Sequence, residues 1–128
     1  MTRAELNKFR QTLEAKQAEL AAAMLRKRDE IAIEKSADAI DEVQRAAERE
    51  LVIRNLDRES NLLRNVRAAL RRIHAGGFGI CLYCEEPISP RRLAAVPWAT
   101  LCLRCQEAAD HTERASAESL EDLLVNAA

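Results

Sequence analysis

Large aromatic side chains are scarce in this 128-residue chain, with Phe9, Phe78, Tyr83 and Trp98 making up the set. So few of them exclude a thick core and a pocket able to bury a drug-sized ligand. No apolar run approaches the ~18 residues of a membrane span, and no charged-then-apolar start suggests a secretory leader. The expectation is a soluble, cytoplasmic protein. Charge of one sign is missing too. The formal net charge is −1, which removes the bulk attraction behind nonspecific nucleic-acid binding. Residues 1–75 contain neither glycine nor proline, so nothing in that stretch breaks a helix.

What is abundant points the same way. Ala, Glu, Lys, Leu and Arg supply 74 of the 128 residues, a composition typical of long helices and coiled coils. Thr2 and Glu5 form a candidate capping box, in which each side chain satisfies a free N–H of the other. Leu6, Leu13 and Leu20 then recur every seven residues, Met24 and Ile31 take a second such position, and Phe9 joins Leu6 on one face. This is a coiled-coil seam, diluted by Gln17 and Lys27. A second seam is expected through Ile40, Val43, Ala47 and Leu51, then Leu62, Val66, Ala69 and Ile73, interrupted by Arg54 and Arg58.

As one rod, residues 2–75 would reach roughly 110 Å at 1.5 Å per residue. A lone helix with one apolar stripe has nowhere to bury it. The expected solution is an antiparallel helical hairpin over 1–75 with arms of roughly 50 Å and its tip near 35–42. Ser36 and Asp38 are good N-cap residues for the return arm. Gly76-Gly77 should end that arm, because glycine readily takes the left-handed conformation at a helix C-terminus.

Residues 76–128 are different in kind. They carry four basic and eight acidic groups, and all the Gly, Pro and Cys of the chain. Arg64, Arg67, Arg71 and Arg72, just before them, form a basic cluster that reads most simply as a solvated, dipole-compensating face. Cys81-Leu-Tyr-Cys84, seventeen residues, then Cys102-Leu-Arg-Cys105 is the strongest signal in the chain. Two CxxC knuckles at that separation fit a tetrahedral zinc site. Four thiolates fill the coordination sphere, so the ion is structural, with no position for a catalytic water. Two disulfides would need an oxidising compartment, and a redox CxxC pair normally sits on a βαβ frame. Pro87, Pro90 and Pro97 suggest a ribbon-like loop between the knuckles. The last helix should open at Cys102–Cys105 and carry Leu120, Leu123 and Leu124 as its stripe. His74 and His111 read as surface residues, and Trp98 as packing on the zinc module. The fold class is thus all-α dominated: a coiled-coil hairpin, a small four-Cys zinc finger and a C-terminal helix.

The run Gly77-Phe-Gly-Ile-Cys81-Leu-Tyr-Cys84, followed by Ile88, Arg92-Leu93, Ala95, Pro97, Ala99 and Cys102-Leu-Arg-Cys105, resembles the zinc-finger signature of the DksA/TraR family. Members bind bacterial RNA polymerase directly and insert a hairpin tip with two aspartates into its secondary channel. The resemblance implies that Asp38 and Asp41 act at that tip, with Val43 where the family has a small Ala. It also implies polymerase contacts by Arg54, Asn55, Arg58 and Arg92. By residue chemistry alone, Asp38 and Asp41 suit the positive end of a helix, and the two roles can coexist. Arg54 and Arg58 could equally cover apolar surface with their stems. Asn65, Val96 and Gln106 stand where alarmone-responsive members carry basic residues. A polyphosphate needs positive charge, so these departures weigh against guanosine tetraphosphate as an effector.

The function implied is regulation of transcription initiation with RNA polymerase as partner. The alternatives are a zinc-ribbon nucleic-acid module, disfavoured by the acidic last third, and a zinc-stabilised coiled-coil scaffold. An enzyme is least expected, since no nucleophile–base set, phosphate loop or open metal site is present.

Overall fold

Thr2 and Glu5 close the start of the first helix as their spacing predicts. The Thr2 N–H donates to Glu5 Oε2 at 2.8 Å, and the Glu5 N–H donates to Thr2 Oγ1 at 3.2 Å. From this cap α1 runs Arg3–Glu34, and α2 follows as Glu42–Ala75. The computed structural model describes residues 1–34 and 42–126. The expected bend, with Ser36, Asp38, Ile40 and Asp41, falls outside the described residues. The chain divides into two compact units, Met1–Gly76 and Gly77–Ala128.

In the first unit α1 packs on α2 as an antiparallel hairpin. At 1.5 Å per residue the arms are roughly 50 Å long. Leu13 and Leu20 of α1 are buried, and Leu63, Val66 and Ala69 of α2 meet them as the core. The second seam departs from its sequence reading over the first half of α2. Val43 is 87% exposed and Leu51 58% exposed, and Ala47 also faces solvent. The positions turned inward are instead Arg45, Arg49, Val52, Leu56 and Glu59, all half-buried, leading to buried Leu63 rather than to half-buried Leu62.

The reason lies in alternation. Steps of four and three counted back from Val66 give 63, 59, 56, 52, 49 and 45, which hold the seam against the facing helix. The steps of four from Val43 to Ala47 to Leu51 carry those residues off it. Of the charged positions on this seam, Glu59 is answered from the facing helix, while Arg49 donates from Nε to the Arg45 carbonyl on its own helix at 3.4 Å. Lys27 Nζ pairs with Glu59 Oε1, with the two side chains 27% and 22% exposed. The α2 arm ends at Gly76, whose φ of 87° places it in the left-handed region and whose N–H reaches the Ile73 carbonyl at 3.3 Å.

The second unit is built from turns, a short helix and a longer one. An isolated antiparallel bridge pairs Ile80 with Pro87. Between the knuckles, where a ribbon-like loop was expected, the structure forms α3, Pro90–Ala95. Pro90 occupies the first turn, where a missing N–H costs nothing, and Ser89 Oγ accepts from the Arg92 N–H at 3.2 Å as N-cap. Proline here starts a helix instead of forbidding one. Ile88, Leu93 and Ala99 are buried. The final helix, α4, runs Leu103–Asn126 and buries none of its residues.

Candidate metal centre

The first cysteine knuckle is a tight turn locked by backbone hydrogen bonds. The Cys81 N–H donates to the Glu86 carbonyl at 2.9 Å, and the Glu85 N–H donates back to the Cys81 carbonyl at 3.0 Å. Glu85 turns the corner with φ of 62°, a left-handed conformation uncommon outside glycine. The Leu82 N–H reaches the Thr100 carbonyl at 2.9 Å, which ties this knuckle to the approach of the second.

The second knuckle sits at the start of α4. Cys102 offers its carbonyl to the Gln106 N–H at 2.9 Å and its Sγ to the Cys105 N–H at 3.5 Å. Arg92 braces the same region, because its Nε–H donates to the Leu101 carbonyl at 2.9 Å.

Together these turns bring four sulfurs to one point. The Sγ atoms of Cys81, Cys84, Cys102 and Cys105 all lie within 4.8 Å of one another. All four are free thiols; Cys81 is buried, Cys84 exposed and the other two half-buried. Zinc–sulfur bonds of ~2.3 Å in a tetrahedron require sulfurs about 3.8 Å apart. Cys84 Sγ and Cys102 Sγ are 3.8 Å apart. The donor set and its spacing fit a four-thiolate zinc ion.

Proton affinities show the same clustering. Burial pushes the Cys81 thiol up, but hydrogen bonds from the backbone of Cys84, Cys102 and Tyr83 outweigh it and bring the pKa down to about 6. The Cys105 thiol is pushed up to about 12, first by its hydrogen bond with Cys102 and then by desolvation. For Cys84 the backbone of Glu86 favours the thiolate, yet desolvation and the neighbouring Cys81 and Cys102 leave the pKa raised. Sulfurs this close share protons until a dication replaces them.

The other sequence-derived candidates lie elsewhere. Asp38 and Asp41 are outside the described residues. Arg54, Asn55 and Arg58 are on α2, where Arg54 Nη2 contacts Glu50 Oε1 at 2.9 Å. Arg54 and Arg58 are exposed, and Asn55 is half-buried. Two features escaped the sequence reading. The Lys27–Glu59 pair spans thirty-two positions, and only the opposing seam positions could have hinted at it. The basic cluster is also composed differently. Arg64, Arg67 and Arg71 line a groove together with Arg28 of α1, whereas Arg72 is half-buried.

Residues 76–111 match the prokaryotic dksA/traR C4-type zinc finger family. The chain is 35% identical over 123 residues to the RNA polymerase-binding transcription factor DksA of Escherichia coli K12, across 89% of this chain and 77% of that protein. The protein of the same name from Salmonella typhimurium LT2 is 34% identical over the same length and shares. Among solved structures, transcription factor DksA2 from Pseudomonas aeruginosa superposes with a TM-score of 0.80 at 35% identity, covering 89% of both chains. An RNA polymerase binding protein from Chlamydia trachomatis shares the fold, with a TM-score of 0.57 at 23% identity over 88% of this chain and 94% of that one. With sulfurs spaced for the metal and with these relatives, the four cysteines hold a structural zinc ion, and the chain belongs to the DksA/TraR family.

Proposed function

We propose that this protein binds bacterial RNA polymerase directly and modulates transcription initiation through the secondary channel, without catalysing a reaction itself. The observation that carries this reading is the 35% identity over 123 residues to a protein named for polymerase binding. It spans the hairpin as well as the zinc finger. The hairpin suits the task, because two paired arms of roughly 50 Å form a narrow, stiff probe. Asp38 and Asp41 would act at its end by placing carboxylates near the polymerase's metal-dependent centre, an electrostatic perturbation. Arg54, Asn55 and Arg58 would meet the polymerase further down the arm. Arg92 would join them from the zinc module, in addition to its bond to the Leu101 carbonyl.

The test is transcription in vitro from a ribosomal RNA promoter with purified polymerase. Wild type is compared with Asp38→Asn/Asp41→Asn, with and without guanosine tetraphosphate, while polymerase occupancy is followed alongside. The expected outcome is altered output with wild type, retained binding but no effect with the tip variant, and no added response to the alarmone. Absence of both binding and effect would return the chain to the scaffold reading.

A further inference from the structure

Over residues 43–51 the polarity of α2 is reversed. The inward positions hold Arg45 and Arg49, both half-buried, and the Arg49 Nε–H turns back to the Arg45 carbonyl. The outward positions hold Val43, Ala47 and Leu51, all exposed. Successive steps of four put these three in one row along the helix, so they form a continuous ridge rather than scattered single residues. Leaving such a ridge in water forgoes the gain of burying it. A contiguous apolar surface marks a docking site, and sequences break their own local pattern chiefly where function requires it.

The row does not stop at Leu51. The next step of four reaches Asn55, and steps of three and seven from Leu51 reach Arg54 and Arg58. All of them share the outer face of α2, and Arg54 and Arg58 are exposed as well. The ridge is apolar from 43 to 51, roughly 12 Å, and cationic from 54 to 58, ending roughly 10 Å beyond Leu51.

Its place in the chain selects the occupant. In the function proposed above, Asp38 and Asp41 meet RNA polymerase before this stretch, and Arg54, Asn55 and Arg58 meet it after. Residues 43–51 lie between the two, on a helix unbroken from Glu42 to Ala75. A helix that meets one partner on both sides of a short segment brings the outer face of that segment against the same partner.

We infer that Val43, Ala47 and Leu51 form an apolar docking track that packs on RNA polymerase, with Leu51 as its main anchor. The inference rests on the polymerase reading and adds a division of labour along α2. The arginines supply charge, which salt screens, and the track supplies apolar burial, which salt does not screen.

The test is equilibrium binding of the full-length, zinc-loaded protein to purified bacterial RNA polymerase. Each unlabelled variant competes against wild type carrying an N-terminal fluorophore. Leu51→Gln should weaken binding about tenfold, as expected when half of a leucine's burial is lost, and Ala47→Gln/Leu51→Gln should weaken it further. Leu51→Met keeps size and apolarity and should bind as wild type does. Ile53 is also exposed but lies about 160° round the helix from Leu51, so Ile53→Gln should leave binding unchanged. Urea midpoints should stay at the wild-type value for Leu51→Gln, which separates a lost contact from a lost fold. The Leu51→Gln loss should persist at raised salt. Wild-type affinity in Leu51→Gln, an equal loss in Ile53→Gln, or a loss that vanishes with salt would each overturn the track and leave the polymerase reading standing. A wild-type protein that fails to bind polymerase would overturn both. A wild-type dimer in sedimentation velocity that Leu51→Gln abolishes would also overturn the track, and give the ridge to a second copy of the chain.

Discussion

A thiol can ligate zinc only after it loses its proton, so the metal-free protonation states of the four cysteines determine how zinc uptake responds to pH. At pH 7 Cys81, with a pKa of about 6, is already a thiolate. Cys84 and Cys105, both raised, hold their protons. Zinc uptake at pH 7 is therefore expected to release at least two protons, measured by titration calorimetry in buffers of different ionisation enthalpy. Protons compete with the metal, so affinity should fall as pH falls. It should fall more steeply below about 6, where Cys81 also becomes protonated. Affinity that is flat between pH 5.5 and 8 would contradict the protonation pattern. These values were beyond the reach of sequence. The CxxC spacing identified the ligands, but the hydrogen bonds onto each sulfur depend on the turn at Glu85 and on where α4 begins.

Across the hairpin, one polar crossing sits inside an apolar seam. Glu59 receives Lys27 on Oε1, and its Oε2 is buried without a hydrogen-bond partner. A buried charge that loses its counterion is costly, while replacing both partners by apolar groups is often neutral or favourable. Lys27→Met alone is expected to lower hairpin stability by about 1–2 kcal/mol. Lys27→Met/Glu59→Leu should recover that loss or exceed wild type, with both read from urea denaturation. A double variant as unstable as the sum of its singles would show that the pair contributes no coupling. By spacing alone Lys27 is a dilution of the seam, and Glu59 carries no signal of its own. The pairing becomes visible only once the two arms are aligned. The α3 helix was hidden for a related reason. By composition alone Pro90 is a helix breaker, and only Ser89 accepting from Arg92 turns it into a start.

At the scale of the molecule, the two units rest on different physics. The first, Met1–Gly76, is held by a long helix pair with Leu13, Leu20, Leu63, Val66 and Ala69 at its centre. The second, Gly77–Ala128, has a small core of Ile88, Leu93 and Ala99 around four thiols, and so small a core commonly depends on its metal. Stripping zinc with a strong chelator under reducing conditions is expected to unfold the knuckles and α3 while the hairpin stays helical. Circular dichroism should retain most of its helical signal, and hydrogen exchange should rise over 77–105 but not over α1 and the second half of α2. Loss of the whole helical signal would mean that the hairpin depends on the zinc module.

The sequence by itself determined the local features: the Thr2–Glu5 cap, the end of the arm at Gly76, the ligand set Cys81, Cys84, Cys102 and Cys105, and the helical character of 1–75. Each is fixed by neighbours within a few positions, by a spacing, or by an absence of breakers. The tertiary structure alone decided the register of α2, because Val43, Ala47 and Leu51 make as good a helical stripe as Arg45, Arg49 and Val52 until the facing helix selects between them. It also decided that Arg28, and not Arg72, completes the arginine groove. Side chains thirty or more residues apart are brought together by helix pairing, and no local pattern encodes which of them will meet.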